Sequence, residues 1–433
     1  MPKAISFRRG LMSVLFWSII SAAFIGPGTV TTASKAGASY QMSLLWALIF
    51  SIFSTIILQE AAARITIASG KSLGEIIALR YAQGNNRRLR ILVFSAIAFG
   101  CAAYQAGNIL GAISGLGLLG DIPQELLILL IGLMCFVLLW IGSYRLIANM
   151  LGLIVAIMGI VFIYVALRTN VGLNSFLLGL RPILAEGSLP IVIGLIGTTI
   201  VPYNLFLASG ISQGQDINEM RFGIITAVLI GGMISIAIMV VGTQVLGEFS
   251  FDGLAEAMSG SLGSWAAALF GIGLFAAGLS SSVTAPMAAA VTARSLFGAQ
   301  SAKWSVQSIN FRLVWGSILF IGLIFGITGV KPIPAILLAQ VINGALLPIV
   351  AIFLLLAVND TQLLPAKYTN RPFTNVLTIL IVGITCFLGL NNIWKAIVGL
   401  WSNLGTWSRV WFYVDLFITI VMIGLLAFRV FKK

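Results

Sequence analysis

Val201-Pro202-Tyr203-Asn204 interrupts one long apolar run, Leu189–Ser212, and Gly26-Pro27-Gly28-Thr29 interrupts another, Leu11–Tyr40. Proline has no backbone N–H and its ring clashes with the preceding turn. Each interruption therefore frees carbonyls and amides inside a stretch long enough to cross a bilayer. Unpaired backbone at that depth is tolerated only where it lines a cavity or is buried in protein. Two such breaks, at corresponding places in two halves of one chain, are the pattern expected for the midplane substrate site of a secondary transporter.

Composition places these runs in a membrane. Of 433 residues, 59% are hydrophobic and only 9% charged, and the mean hydropathy is +1.08. Such values exclude a soluble domain and require a polytopic α-helical protein whose constant partner is the lipid bilayer. The net charge of +13 would suit a nucleic-acid partner in a soluble protein. Here the cytoplasmic loops account for it, and no nucleic acid is expected. The first apolar stretch is long and lacks a small-residue cleavage site, so no cleavable signal peptide is expected. Cys101, Cys135 and Cys386 stand singly in apolar stretches, with neither disulfide nor metal-ligand spacing. No cofactor, no resident metal and no enzymatic activity are expected.

A span needs about 20 apolar residues, and the chain divides into about twelve. They are Leu11–Tyr40, Ser43–Ile65, Leu89–Leu118, Leu126–Ile141, Leu146–Leu167, Leu189–Ser212, Phe222–Leu246, Ala266–Val291, Leu313–Ile327, Pro334–Ala357, Val376–Leu388 and Val410–Phe428. Ile393–Trp401 either extends the eleventh or lies along the interface. In this topology most of the 25 Lys and Arg residues fall on one side, among them Lys3, Arg8, Arg9, Arg64, Arg80, Arg221 and Arg312. Arg168, Arg181, Lys331, Lys395 and Arg409 fall on the other. This bias puts both termini in the cytoplasm of a bacterial-type plasma membrane. Residues 11–168 and 189–357 then form two halves of five spans each, and 373–430 adds two helices. An odd number per half forces the halves into opposite orientation, so the expected fold is an all-α inverted repeat with helices 1 and 6 broken.

The groups available at the breaks are neutral. Thr29, Thr31, Thr32 and Ser34 follow the first; Thr198, Thr199, Tyr203 and Asn204 flank the second. Gln105 and Asn108 are three apart on the third span and share a helix face, as do Gln340 and Asn343 on the tenth. Singly, each would be read as packing glue between helices; together with the breaks they point to a polar cavity. No Asp, Glu, His, Met or Cys stands at either break, and these are the residues that hold divalent metals. The helix restarting near Thr29 points free amides and its positive dipole end at the cavity, with Lys35 within two turns. This arrangement suits an anion, a carboxylate or a neutral polar solute better than a cation. Elsewhere, Glu60 and Arg64 are spaced for a helical ion pair. Asp415, in the last span, suggests an interfacial or oligomer-contact role, and the Gly271–Gly278 run suggests close helix packing.

At these residues the chain resembles the Nramp family of proton-coupled divalent-metal transporters, and the resemblance covers most of the chain. Gly26-Pro27-Gly28-Thr29 is similar to that family's Asp-Pro-Gly-Asn segment, and Val201-Pro202-Tyr203-Asn204-Leu205 to its Met-Pro-His-Asn-Leu. Gln59-Glu60-Ala61-Ala62-Ala63-Arg64, Ala276-Ala277-Gly278-Leu279-Ser280-Ser281 and Ala339-Gln340-Val341 resemble its second, eighth and tenth helices. The resemblance implies a leucine-transporter-like fold of two inverted five-helix repeats. It also shows where the chain departs. The family's metal-binding Asp is matched by Gly26, its Asn by Thr29, its Met by Val201 and the adjacent His by Tyr203. The Ala whose carbonyl touches the metal is matched by Thr198, and the acidic pair of the proton route by Gln105 and Asn108.

The expectation is therefore an alternating-access transporter, a symporter or a carrier without a coupling ion. Its cargo would be a small anion such as bicarbonate, or a small carboxylate or zwitterion, with Gly26, Thr29, Thr198, Val201 and Tyr203 lining the site. Gln105, Asn108 and Gln340 would form a supporting polar wall. The alternative is a divalent cation (Mn, Fe or Mg) bound by carbonyls and retained water; a transport-dead sensor is a further one.

Overall fold

The computed structural model describes residues 25–80, 87–142, 145–298, 301–400 and 408–432. The part of the first expected span before Ile25 lies outside them. The described residues form helices and connecting turns with no strand. In chain order the helices are α1 (Pro27–Tyr40), α2 (Leu45–Ser69), α3 (Leu73–Arg80), α4 (Arg87–Gly117), α5 (Gln124–Ile141), α6 (Arg145–Arg168), α7 (Leu173–Gly179), α8 (Leu189–Thr199) and α9 (Pro202–Ile211). There follow α10 (Ile217–Gly242), α11 (Phe251–Leu262), α12 (Trp265–Phe297), α13 (Ile309–Ile327), α14 (Pro332–Val358), α15 (Pro372–Leu400) and α16 (Ser408–Phe431). Among the described residues, 11 helices are long and apolar enough to cross a membrane, α8 and α9 counting as one. The described half of the first expected span is α1, with 14 residues. Of Ile393–Trp401, left open by the sequence, the residues to Leu400 continue α15 and Trp401 lies outside the described residues.

The second expected break is present, and at the first the described residues show the start of a helix. Gly26 is the N-cap of α1, with Pro27 at its first position. In the second, α8 stops at Thr199 and α9 starts at Pro202. Proline suits a first helical position because its missing N–H would have no partner there. The broken helices occupy the centre. From Pro27 to Gly37 every residue of α1 except Lys35 is buried, and 94% of the α8–α9 span window is buried, against 22% for α16. The outer helices present large apolar side chains outward, such as Leu167, Phe320 and Phe417. That pattern serves a lipid-facing wall.

Glycines let the broken helices approach their neighbours backbone to backbone. A side chain at Gly37 would run into the Met239 carbonyl of α10, and one at Gly242 into the backbone of Ser34 on α1. Gly197 of α8 packs on the Gln340 carbonyl and Gly344 of α14. The Gly271 and Gly278 positions of α12 lie against the backbone of α4, where an added Cβ would meet Gly115 O at 2.8 Å and Ala112 N at 2.6 Å. This is the close packing that the glycine run suggests.

One end of the bundle is tied by a polar girdle. Arg64 Nε donates to Glu60 at 3.0 Å, completing the helical pair, and Arg221 of α10 donates to the same carboxylate at 2.8 Å. Arg64 also donates to the Tyr368 carbonyl and, at 2.6 Å, to Asn370 Oδ1. Arg80 pairs with Asp360 at 2.8 Å. Asp415 is expected to play an interfacial or oligomer-contact role, which a single chain does not test. It is 0% exposed and sits between α15 and α16, where Asn391 Nδ2 approaches at 3.5 Å. A carboxylate turned to lipid would be costly, so the helix pair encloses it.

Gly37→Ala and Gly242→Ala should each cost about 1–3 kcal/mol through overpacking and lower the Tm of the purified protein. Gly152→Ala, where an added Cβ meets nothing within 4 Å, should leave Tm unchanged.

Candidate functional site

The two breaks meet at a direct hydroxyl pair, Thr29 Oγ1 to Thr198 Oγ1, at 2.8 Å. Gln340 of α14 lies over Gly28 so closely that any side chain at that glycine would occupy the position of the amide group. Tyr104 of α4 donates its hydroxyl to the Gly197 carbonyl at 2.7 Å. Its ring meets that of Tyr203 edge-on, with centroids 5.7 Å apart. Thr29, Thr198, Val201, Tyr203, Asn204 and Gln340 are each no more than 3% exposed. These residues are shielded from solvent in the centre of the bundle.

Hydroxyls in spanning helices usually donate to the carbonyl one turn back. Ser51, Thr55, Ser114, Ser235 and Thr292 all do so here. The hydroxyls of Thr31, Thr32 and Thr199 do not: they are buried with no hydrogen-bond partner among the described residues. Asn108 Nδ2, Gln340 Oε1 and both amide atoms of Asn204 are buried and equally unpartnered. Buried polar groups are paired as a rule, so this concentration beside the breaks marks a place for water or cargo. Of these atoms beside the breaks, all but the Asn108 and Asn204 amide nitrogens are oxygens.

Proline chemistry frees a main-chain oxygen as well. The Thr198 carbonyl would be paired by the N–H four residues on, but that residue is Pro202. The neighbouring carbonyls of Gly197 and Thr199 accept side-chain hydroxyls, from Tyr104 and Thr55 respectively. No described residue pairs with the Thr198 carbonyl.

The eight expected site residues separate into groups. Thr29, Thr198, Tyr203 and Gln340 come together, with Val201 as the N-cap of α9. Gly26 is at the first break, but its φ of −93° and ψ of 179° are open to any residue, so its backbone does not require glycine there. Asn108 lies on the α4 stripe that also carries Tyr104 and Gly111, which touch α8 and Pro27. Gln105 faces elsewhere: Nε2 donates to the Ser282 carbonyl of α12 at 3.0 Å, and its side chain packs on Gly322 of α13. A spacing of three leaves two residues about 60° apart around a helix, enough for different neighbours to claim them. Asn343 donates to the carbonyls of Gly100 and Ala339 at 3.1 and 3.0 Å and acts as interhelical glue. Tyr104 and Thr55 are participants that sequence reasoning missed. An aromatic in an apolar span carries no local signal; its position next to Gln105 was the only pointer. Among the described residues no three His, Cys, Asp or Glu side chains gather as a metal-binding group.

A broken span meeting a helix that starts at a buried Gly-Pro step, at a polar site inside a many-span bundle, is the arrangement of the leucine-transporter-like class of inverted-repeat membrane transporters. A model of the Natural resistance-associated macrophage protein-like family matches residues 18–395, and the chain belongs to that Nramp family. Relatives include the Divalent metal cation transporter MntH of Deinococcus radiodurans, 26% identical over 88% of this chain and 89% of the other. Metal transporter Nramp3 of Oryza sativa subsp. japonica is 24% identical over 96% of this chain and 80% of the other. Among solved structures, the Eremococcus coleocola manganese transporter aligns with a TM-score of 0.76 at 20% identity, over 99% of this chain and 96% of that one. The nucleobase-cation-symport-1 family transporter Mhp1 aligns with a TM-score of 0.56 at 15% identity, over 96% of this chain and 92% of that one. Both share the fold.

Gly28→Ala should displace Gln340 and reduce transport of the cargo by roughly tenfold, an effect of about 1.4 kcal/mol. Adding Gln340→Ala should recover part of that loss. A double-mutant cycle on initial uptake rates checks the coupling.

Proposed function

We propose that this chain is an alternating-access transporter whose cargo is a divalent metal cation, held at the two breaks by neutral oxygens and by part of its own water shell. The observation that carries this reading is the donor set: the Thr198 carbonyl left unpaired by Pro202, surrounded by unpartnered hydroxyl and amide oxygens. Carbonyl, hydroxyl and water ligands suit hard cations such as Mg²⁺ and Mn²⁺, and Mg²⁺ in particular keeps several waters when bound. Relatives that match along most of their length are divalent-metal transporters, which supports a cation over the anion expected from the sequence. Cargo-lining roles go to Thr29, Thr198, Asn204 and Gln340, with Gly26, Val201, Tyr203 and Asn108 around them. Gln105 belongs to the α12–α13 packing.

The anionic reading keeps one specific observation in its favour. Lys35 is half-buried on α1 beyond the break, and no described acid pairs with it. In either case the halves are assigned as 11–168 and 189–357, with two further helices over 373–430. The short helices α3 and α11 support this division, since each follows the second span of its half. Both termini are assigned to the cytoplasm on the Lys and Arg bias.

Proteoliposomes containing the purified protein should show saturable Mn²⁺ or Mg²⁺ uptake beyond empty liposomes. Asn204→Leu should lose about 1.5–3 kcal/mol of cargo interaction, roughly ten- to a hundredfold in apparent affinity. Gly26→Asp should raise cation affinity by adding a carboxylate at the break. Bicarbonate uptake without divalent uptake, with Gly26→Asp abolishing it, would overturn the cation reading.

A further inference from the structure

We infer that Tyr104 and Thr55 are positioning residues that set cargo specificity by capping the carbonyls on either side of Thr198. The inference rests on the divalent-cation reading above. Helix α8 ends at Thr199, and the chain leaves helical geometry at Ile200, whose φ is −97° and ψ 75°. The Ile196 carbonyl still receives the Ile200 N–H at 2.8 Å. The next three carbonyls, those of Gly197, Thr198 and Thr199, lose their helical donors together. Such a terminus would ordinarily offer a cation several adjacent oxygens at the negative end of the helix dipole.

Two other helices intervene. From α4, Tyr104 Oη donates to Gly197 O at 2.7 Å. From α2, Thr55 Oγ1 donates to Thr199 O at 3.2 Å, while also reaching back to Ser51 O at 2.7 Å. Both hydroxyls are buried, Tyr104 at 5% and Thr55 at 0% exposure. Tyr104 places its only proton on Gly197 O, and Thr55 shares its one proton between Ser51 O and, by the longer branch, Thr199 O. The outcome is a helix end with one main-chain oxygen available out of three, flanked by the Thr198 and Thr29 hydroxyls. A low count of protein oxygens favours small cations that keep their waters. A cluster of carbonyls would favour Ca²⁺, which takes six to eight oxygen ligands at longer distances. The Tyr104 ring, seated edge-on against Tyr203, fixes where its hydroxyl falls and couples this cap to the first turn of α9.

A purely structural role would make the same two bonds, so the test must read specificity. Initial rates of Mn²⁺ and Ca²⁺ uptake are measured in proteoliposomes for wild type, Tyr104→Phe, Thr55→Val and Thr55→Ser, beside Tm of each purified protein. Tyr104→Phe keeps the ring and uncaps Gly197; Thr55→Val keeps the shape and uncaps Thr199. Each is expected to lower the KM for Ca²⁺ relative to that for Mn²⁺ by about tenfold, with kcat for Mn²⁺ little changed. Thr55→Ser, which retains the hydroxyl, is expected to keep the wild-type ratio. Unchanged KM ratios in both uncapping variants would overturn the inference, and so would equal losses for both ions accompanied by a lower Tm. Wild-type protein that transports no divalent cation would overturn the cation reading and this inference with it, whereas wild-type uptake with unaltered ratios removes the inference alone.

Discussion

A single missing hydrogen-bond donor organises the centre of this molecule. Pro202 has no N–H, so the Thr198 carbonyl four residues earlier has no helical partner. In a soluble protein water would take that place at little cost. In a bilayer the group must be enclosed by protein or face a cavity, and the surrounding structure follows from that demand. Glycines in α14 and α10 allow the broken segments to be wrapped closely. Hydroxyls from α2 and α4 reach the neighbouring carbonyls, and the start of α1 at Gly26-Pro27 brings Thr29 onto Thr198.

The site that results is neutral but not apolar. Its unpartnered atoms are amides and hydroxyls, whereas the acids of the described chain take part in ion pairs or lie elsewhere. Glu60, for example, is committed to Arg64 and Arg221 at one end of the bundle. A cation held by such donors gives up less of its hydration than one stripped by carboxylates, and it leaves more readily. That is an advantage to a carrier, which must release what it binds. The girdle of Arg64, Tyr368 and Asn370 ties one end of the bundle.

Much of this was legible in the sequence because it is written in proline, apolar length and spacing. The breaks, the order of the spans and the Glu60–Arg64 pair follow from local rules. The membership of the site was less legible. Gln105 and Asn108 are spaced to share a face, but neighbouring helices draw them apart: Gln105 to Ser282 and Gly322, Asn108 to the stripe beside the break. Tyr104 could not be found from its own neighbourhood, since its role depends on α8 passing within reach of its hydroxyl. Asp415 illustrates the same limit, because only the packing of α15 on α16 decides whether a lone intramembrane acid faces lipid or protein. On the proposed reading, the choice of cargo turns on the count of free carbonyls. Side chains distant in sequence set that count.

Pulsed electron paramagnetic resonance of Mn²⁺ titrated into the purified protein, in ordinary and deuterated water, tests the central claim most directly. The account predicts an immobilised Mn²⁺ at one site per chain that retains several coordinated waters, with the population lost in Asn204→Leu. Absence of bound Mn²⁺ from folded protein, or a bound ion stripped of water, would contradict a neutral-oxygen site for a hydrated cation.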